Sequence, residues 1–168
     1  MKNSLKTYKK KRKKQVLSTL SAYAKKRKFS GAGKTIEPKG KIKKSKSKKP
    51  IFVIHKHFAR NLHYDLRLEM NGVLASWAVP KEPPIEKNVK RLAIQVEDHP
   101  LAYATFKGII PKGNYGAGKV EIWDKGTYEL KFSDEKKIEF VLHGKKLNGN
   151  FVLIKTSYVK NGWLWFKV

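Results

Sequence analysis

Residues 62–72 read LHYDLRLEMNG, and this stretch decides the class of fold. Apolar side chains occupy every second position of Leu62–Met70, and the positions between them are polar: His63, Asp65, Arg67 and Glu69. Side chains of a β-strand point alternately to its two faces, so this pattern predicts a strand with one buried and one polar face. Asn71-Gly72 predicts a type I′ hairpin turn, from which Val73–Val79 returns as a second strand.

Short apolar-rich runs of the same kind recur along the rest of the chain. They cover residues 52–56, 91–99, 119–123, 127–132, 137–142, 150–156 and 163–168. Turn residues separate them, including Asp124-Lys125-Gly126 between the third and fourth runs. In the run 91–99, alternation places Val96 on one face and Arg91, Glu97 and His99 on the other. Eight or nine short strands predict a mainly all-β domain, an antiparallel barrel or a sandwich.

The charge of the chain is concentrated near its N-terminus. The 168 residues include 39 Lys or Arg and 13 Asp or Glu, which gives a net charge of +26. Residues 1–50 hold 20 of the basic residues and a single acidic one, Glu37, a balance of +19. We predict a disordered basic tail (1–20), a partly ordered basic arm (21–50) and a β domain (51–168). Helical spacing within residues 16–24 predicts one short helix.

Two interpretations of the basic N-terminal residues remain open. They are a solubilising tail, or an arm attracted to a polyphosphate such as nucleic acid. The chain has no cysteine, which excludes disulfides, zinc fingers and iron–sulfur clusters and leaves histidines and carboxylates as metal ligands. It has no run of about 20 apolar residues, so we expect no membrane partner. The lack of cysteine fits a reducing compartment, and we expect a cytoplasmic protein.

The histidines form the sharpest chemical pattern. In His63-Tyr64-Asp65, the side chains of His63 and Asp65 share one strand face. A short turn separates them from His57 and can fold His57 back beside them. Two imidazoles and one carboxylate suit Mn²⁺, Fe²⁺ or Zn²⁺. Two alternatives are exposed histidines on a solvated strand face, and an iron-oxygenase triad in which His99 or His143 joins His63 and Asp65.

Arg67 extends the same polar face and favours an anionic substrate. Its guanidinium matches phosphate, and a metal ion beside cations and an imidazole suits the hydrolysis of phosphate esters. If the polar faces of the strands 62–70 and 91–99 met, Lys81, Arg91 and His99 would add positive charge around Arg67. The alternative is a surface ion pair between Arg67 and Glu69 or Glu97, which would contribute little.

The stretch Gly113 to Lys119 fits the G-x-x-x-x-G-K pattern of a nucleotide-binding P-loop. Val120 stands where the magnesium-binding Ser or Thr should follow, and the next residues are typical of a strand rather than a helix. We therefore interpret this stretch as a glycine-rich turn.

Four motifs occur in a fixed order: HFARNLHYDLRLE (57–69), SWAVPK (76–81), RLAIQVEDHP (91–100) followed by Tyr103, and PKGNYGAG (111–118). In order and spacing they resemble the 3′-phosphoesterase domain of bacterial DNA ligase D. The resemblance covers most of 52–126 and continues more weakly to the C-terminus, and residues 23–30 are similar to the family's short N-terminal segment. No ligase or polymerase domain fits in 168 residues, so we expect a free-standing member.

The resemblance implies an eight-stranded barrel and a manganese-dependent enzyme that heals DNA 3′ ends. Such an enzyme removes a terminal ribonucleoside and then the remaining 3′-phosphate, leaving a 3′-hydroxyl for ligation. It also implies the roles of residues. The metal ligands would be His57, His63 and Asp65. Arg67 and His99 would contact the phosphate, and His99 would also act as acid or base. The supporting residues would be Lys81, Arg91, Glu97 and Tyr103.

Two departures from the family pattern bear on function. His55 stands where the family usually has Gln, and it adds a third imidazole near the metal. Arg27-Lys28 stands where the family has an Arg-Asp pair. We therefore treat His55 and Arg27 as possible accessory residues of the site. We expect a metal-dependent 3′-end-healing phosphoesterase acting on primer-template or duplex DNA ends, with a separate ligase or end-joining factor as partner. The alternative is a catalytically silent DNA-end-binding module that recruits a separate ligase.

Overall fold

The computed structural model describes residues 20–27 and 49–168. Residues 20–27 form a helix, α1. The strands are β1 Ile51–Phe58, β2 Leu62–Met70, β3 Val73–Val79, β4 Lys90–Pro100, β5 Gly108–Ile110, β6 Gly118–Ser133, β7 Lys137–His143, β8 Asn148–Lys155 and β9 Gly162–Lys167. A 3-10 helix, Leu101–Thr105, joins β4 to β5.

Eight of the strands close into an antiparallel barrel. The hydrogen-bonded order is β1-β2-β3-β4-β9-β8-β7-β6, and β6 pairs again with β1. β5 pairs with residues 118–120 of β6, on the same edge as β7 but beyond the residues that pair with β7. Closure removes the exposed strand edges that an open sheet of this size would present. The expectation of a mainly all-β, closed eight-stranded barrel with one short helix is confirmed, and the sandwich alternative is wrong.

The barrel interior is filled by alternate side chains of all eight strands. Its largest fully buried members are aromatic and include Trp77, Trp165, Tyr128 and Phe140. A second apolar cluster lies on the opposite face of the same strands, where Val53 and Leu74 pack against Tyr103, Phe106 and Ile110. Residues 101–110 therefore cover part of the outer barrel wall. The polar residues of β1 and β2 stand on this covered outer wall.

The turn between β2 and β3 has the predicted geometry. Asn71 and Gly72 both have positive φ, at 55° and 80°, which is the signature of a type I′ turn. Tyr64 pairs with Val79 and Met70 with Val73, so the register follows directly from this two-residue loop. The buried and polar faces of β2 are thereby fixed relative to β3.

The prediction of a turn at Asp124-Lys125-Gly126 is wrong, because residues 118–133 form a single strand, β6. The pairing with β1 shifts between Ile54 and His55, which leaves one extra residue on β6 as a bulge. The buried Asp124 carboxylate instead accepts hydrogen bonds from its neighbour and from the β7–β8 turn, at Lys125, Lys145, Lys146 and Leu147. Gly126 is required here, since a Cβ would lie 2.1 Å from the carbonyl oxygen of His143.

We expect Asp124→Asn to lower the free energy of unfolding by at least about 2 kcal/mol. The amide would replace one accepting oxygen with a donor, and buried N–H groups of the β7–β8 turn would lose their partner. Urea denaturation measures the difference. Asp134→Asn is the matched control at an exposed turn, where we expect a change within about 0.5 kcal/mol. Equal losses at the two positions would contradict this role of Asp124.

The short β5 and the 3-10 helix were not predicted. The predicted short helix is present at 20–27, whereas the predicted tail and arm otherwise fall on residues 1–19 and 28–48, outside the described residues. None of the helices within 20–27 and 49–168 has the length and apolar content needed to cross a lipid bilayer.

Candidate active site

Cross-strand pairing brings the predicted metal ligands together. His57 of β1 lies opposite His63 of β2, and Asp65 follows on the same face of β2. One ligand atom from each of the three residues lies within 4.8 Å of the others. The Asp65 carboxylate is 3.9 Å from both His57 Nδ1 and His63 Nε2. The short β1–β2 turn therefore folds His57 back onto the other two side chains, as its spacing predicts.

Backbone carbonyls orient both imidazoles for metal binding. His57 Nε2 donates to the Gly116 carbonyl at 2.8 Å, and His63 Nδ1 donates to the Asn61 carbonyl at 2.9 Å. A carbonyl only accepts, so the lone pairs remain on His57 Nδ1 and His63 Nε2, the two atoms nearest Asp65. Metal-binding histidines commonly donate their second ring nitrogen in this way. The donor set fits a divalent ion such as Mn²⁺, Fe²⁺ or Zn²⁺.

Arg67 is buried beside this group. Its Nη2 lies 3.2 Å from Asp65 Oδ2, its Nη1 donates to Ser76 Oγ at 2.8 Å, and its Nε donates to His55 Nδ1 at 3.3 Å. Its Cζ also lies 4.8 Å from the centroid of the Tyr103 ring. Three polar partners fix the plane of the guanidinium. The alternative of a surface bridge with Glu69 or Glu97 is wrong, because only 3% of Arg67 is exposed.

His55 supports Arg67 rather than joining the metal group, which consists of His57, His63 and Asp65. Its Nε2 donates to the Phe106 carbonyl at 3.0 Å, and its Nδ1 accepts from Arg67. Both ring nitrogens are thus engaged. Burial, followed by the charge of Arg67, lowers the pKa of His55 to about 3, so the ring is neutral at pH 7. With both nitrogens bonded in this way, His55 is not one of the three grouped ligands, and its accessory role stays a prediction.

A bulge in β4 brings Glu97 and His99 to the outer wall. His99 pairs with Leu74 but Val96 pairs with Ser76, so β4 has one more residue than β3 over this interval. Strict alternation predicted that Val96 would face away from Glu97 and His99. The bulge instead turns all three toward one cavity. Arg91, which precedes the bulge, is not among the residues that line it.

The hydrogen bonds of His99 fix its tautomer. Its Nδ1 donates to the Glu97 carbonyl at 3.0 Å and lies 3.4 Å from Ser76 Oγ, so Nε2 carries the lone pair. Burial, followed by the nearby charges of Arg67 and Arg27, holds the pKa of His99 well below its usual value. The ring is therefore a neutral imidazole at pH 7, able to accept a proton at Nε2.

Helix α1 packs over His99. The Tyr23 ring is buried and meets the His99 ring edge-on, with a centroid distance of 4.8 Å. Arg27 Cζ lies 3.5 Å from the Tyr23 centroid, and Lys26 Nζ lies 2.9 Å from Glu97 Oε2. Burial lowers the pKa of Lys26, but its hydrogen bonds to Glu97 and Tyr115 outweigh this effect and raise it overall. The helix thereby places Arg27 beside the site.

These elements enclose a cavity of about 160 Å³. Eight predicted site residues line it: Arg27, His57, His63, Asp65, Arg67, Glu97, His99 and Tyr103. Lys81 and Arg91 do not. Lys81 is exposed, and the Arg91 guanidinium donates to the Glu82 carbonyl at 2.7 Å. The roles of both in the site stay predictions.

Sequence reasoning gave no role to Tyr23, Ser76, Tyr115 or Gly116. Ser76 occupies a polar-face position of β3, and this was its only sequence signal. The contact of Tyr23 with β4 and the carbonyl of Gly116 have no local signature. The iron-oxygenase alternative is wrong as far as it depends on His143, because His143 pairs with Glu129 and does not line the cavity. The interpretation of residues 113–119 as a glycine-rich turn is confirmed, because Gly118 opens strand β6 rather than a P-loop helix.

Comparison with known proteins identifies relatives that carry the same domain. A profile of the family described as "DNA Ligase D 3'-phosphoesterase domain" matches residues 55–155. The "Multifunctional non-homologous end joining DNA repair protein LigD" of Mycobacterium tuberculosis is 51% identical over 135 residues, 78% of this chain and 18% of that protein. The "Multifunctional non-homologous end joining protein LigD" of Pseudomonas aeruginosa is 46% identical over 155 residues, 89% of this chain and 18% of that protein.

The chain therefore spans 18% of the length of each of these relatives. The profile match covers most of the barrel, from β1 to the end of β8, and includes all three residues of the metal group. The chain belongs to the DNA ligase D 3′-phosphoesterase domain family.

Proposed function

We propose that the protein is a metal-dependent phosphoesterase that heals DNA 3′ ends. It removes a 3′-terminal ribonucleoside and then the 3′-phosphate, and leaves a 3′-hydroxyl for ligation. The observation that carries this proposal is the convergence of His57, His63 and Asp65 with the buried cation Arg67 on one cavity wall. A metal group next to a fixed guanidinium matches a phosphate ester better than a neutral substrate.

The residues of the cavity divide the chemistry among them. A divalent ion held by His57 Nδ1, His63 Nε2 and Asp65 would supply Lewis acidity toward a phosphoryl oxygen. Arg67, held by Asp65 and Ser76, orients the phosphate and stabilises charge that builds on its oxygens. Arg27 adds a second positive charge from α1. His99 accepts or donates a proton at Nε2, while its Nδ1 stays bound to the Glu97 carbonyl.

The names of the relatives support the choice of substrate. Those proteins are described by their names as multifunctional non-homologous end joining proteins, and one name adds DNA repair. We extend this context to the present chain and propose DNA 3′ ends as its substrate and Mn²⁺ as its metal. A separate ligase or end-joining factor would then use the 3′-hydroxyl, and Lys81 and Arg91 would support the DNA outside the cavity.

The direct test is an end-conversion assay. Primer-templates that end in one ribonucleotide or in a 3′-phosphate are incubated with the protein and Mn²⁺, and the products are separated by gel electrophoresis. We expect first a 3′-phosphate and then a 3′-hydroxyl that a ligase can seal. Absence of a 3′-hydroxyl product with every divalent metal tried would contradict the proposal.

Metal binding itself gives a second prediction, independent of turnover. At 100 times its dissociation constant, Mn²⁺ should stabilise the native protein by about 2.7 kcal/mol and raise the Tm by about 5–10 °C. EDTA should reverse the shift. In Asp65→Ala the shift should disappear, because Arg67 would then repel the cation without compensation. His143→Ala is the control, and an unchanged shift in Asp65→Ala would contradict the ligand assignment.

The basic N-terminal residues predict salt-sensitive binding that is blind to sequence. If about six phosphates are neutralised, the logarithm of affinity should fall with the logarithm of salt concentration at a slope near −5. Fluorescence anisotropy of labelled duplex DNA measures this slope. Neutralising the basic residues within 2–14 should make it shallower and leave α1 intact. An unchanged slope would favour the solubilising-tail interpretation instead.

The alternative function, a catalytically silent DNA-end-binding module, is favoured by the same charge excess of +19 in residues 1–50. It predicts that variants of the metal group recruit a ligase as well as the wild-type protein does. The proposed enzyme predicts the opposite, because ligation of a 3′-phosphate end would then depend on His63. A ligation assay with added ligase separates the two functions.

A further inference from the structure

A second cavity of about 480 Å³ opens beside the active-site cavity. It is lined by Phe58, Ala59, Arg60, Lys112, Gly116, Ala117 and Gly118. Ala59 and Gly116 line both cavities. Because the Gly116 carbonyl holds the metal-group residue His57, the two cavities share a wall at the metal group.

Glycines fix the shape of this second cavity. Gly118 has φ +135°, and a Cβ there would lie 2.2 Å from the carbonyl oxygen of Phe58, so the turn packs directly on the end of β1. Gly116 also has positive φ, at +75°. Together with Ala59 and Ala117, they leave open volume where larger side chains would fill it. The glycine-rich turn that resembled a P-loop therefore forms one wall of a cavity.

The side chains that line this cavity combine an aromatic ring with positive charge. Phe58 is 41% exposed, and Lys56 Nζ lies 5.2 Å from its ring centroid. Arg60 and Lys112 are both exposed, and none of the described residues that line the cavity is acidic. An exposed ring on which a base can stack, flanked by cations that attract phosphates, is the usual composition of single-strand binding surfaces.

We propose that this cavity binds the retained nucleoside, the one whose 3′-oxygen carries the phosphate to be removed. The base stacks on Phe58, and Arg60 and Lys112 contact the phosphates that follow along the same strand. This inference rests on the proposed function. The sizes agree with it, because pockets for organic ligands usually measure about 300–1,000 Å³. The first cavity, about 160 Å³, is below that range, and the second, about 480 Å³, falls within it.

The positive charge distinguishes the retained nucleoside from the departing one. A departing terminal ribonucleoside ends in hydroxyl groups and carries no phosphate beyond the scissile one. The retained strand carries one phosphate per nucleotide. Arg60 and Lys112 would therefore have no anionic partner if the cavity held the departing group, whereas they match the continuing backbone of the retained strand.

The test compares two 3′-phosphorylated primer-templates, one with a normal terminal nucleoside and one with a tetrahydrofuran that lacks the base. For the wild-type protein we expect the KM of the base-free substrate to be about 5- to 100-fold higher, since one stacked base contributes on that scale. In Phe58→Ala the two KM values should become equal, with kcat unchanged. The matched control is Phe132→Ala, which removes a phenylalanine that is 45% exposed elsewhere and should behave as the wild type does.

Binding measurements keep this inference separate from the proposed function. Anisotropy with the same two DNAs gives the base preference even if no substrate is hydrolysed. Loss of the preference in Phe58→Ala supports the subsite, and a preference equal to that of the wild-type protein overturns it. Arg60→Ala and Lys112→Ala should each make the salt slope shallower by about 0.9, whereas Lys160→Ala should not. Equal slopes for all three variants would overturn the phosphate contacts.

Discussion

His63→Ala should lower the rate of 3′-phosphate removal by about 1,000-fold or more in the presence of Mn²⁺. The substitution removes one of three ligands, and the charge stabilisation that a metal supplies is worth several kcal/mol, of which about 4 correspond to this factor. His63 stands at the start of β2 and is only partly buried, and its ring hydrogen-bonds to the neighbouring Asn61 carbonyl rather than to a distant part of the barrel. We therefore expect the barrel to remain folded and duplex binding to be unchanged.

Three measurements on the same variant define this result. Single-turnover kinetics give the rate, thermal denaturation without metal gives the stability, and anisotropy gives the affinity for duplex DNA. The matched control is His143→Ala, because His143 pairs with Glu129 away from the cavity. Retention of more than a tenth of the wild-type rate in His63→Ala would show that this imidazole is not required. Equal losses in both variants would show that the effect is not specific to the site.

Local sequence patterns were sufficient for much of the fold. The inward placement of the apolar residues of β2 and the Asn71-Gly72 turn depend on interactions between residues close in the chain. Both are observed, with Tyr64, Leu66, Leu68 and Met70 in the barrel core. Burial of the polar face at Asp65 and Arg67 was not predicted by this pattern. The grouping of His57 with His63 and Asp65 follows from the same short-range geometry, since a tight turn joins the two strands. Patterns of this range specify which residues share a strand face, and turn geometry fixes the register.

The remaining features depend on contacts between distant parts of the chain. The bulge in β4 turns Glu97 and His99 to the same outer wall as Val96, and the bulge in β6 turns a predicted loop into continuous strand. Each bulge adds one residue against a partner strand far away in sequence, so it leaves no periodic signal. The contact of Tyr23 with His99 joins α1 to β4 across more than 70 residues. No local preference specifies it.

Arg67→Lys should lower kcat for the 3′-phosphate substrate by about 100- to 1,000-fold, the scale of losing one fixed donor to a developing charge. The guanidinium simultaneously reaches Asp65, Ser76 and His55 through three different nitrogens. A single ammonium keeps the charge but lacks the planar fork that these three contacts require. His55 Nδ1 would then lose its donor within the protein interior, and we expect a lower Tm as well.

A graded series shows whether orientation or charge is responsible. Ser76→Ala leaves the guanidinium in place but removes its 2.8 Å contact, so its loss of kcat should be smaller than that of Arg67→Lys. Lys155→Arg exchanges the same two residue types at an exposed position and should change nothing. Because Lys and Arg both repel a cation, Mn²⁺ affinity in Arg67→Lys should stay close to that of the wild-type protein. Full activity in Arg67→Lys would mean that positive charge alone suffices, and the three-partner geometry around Arg67 would then have no catalytic role.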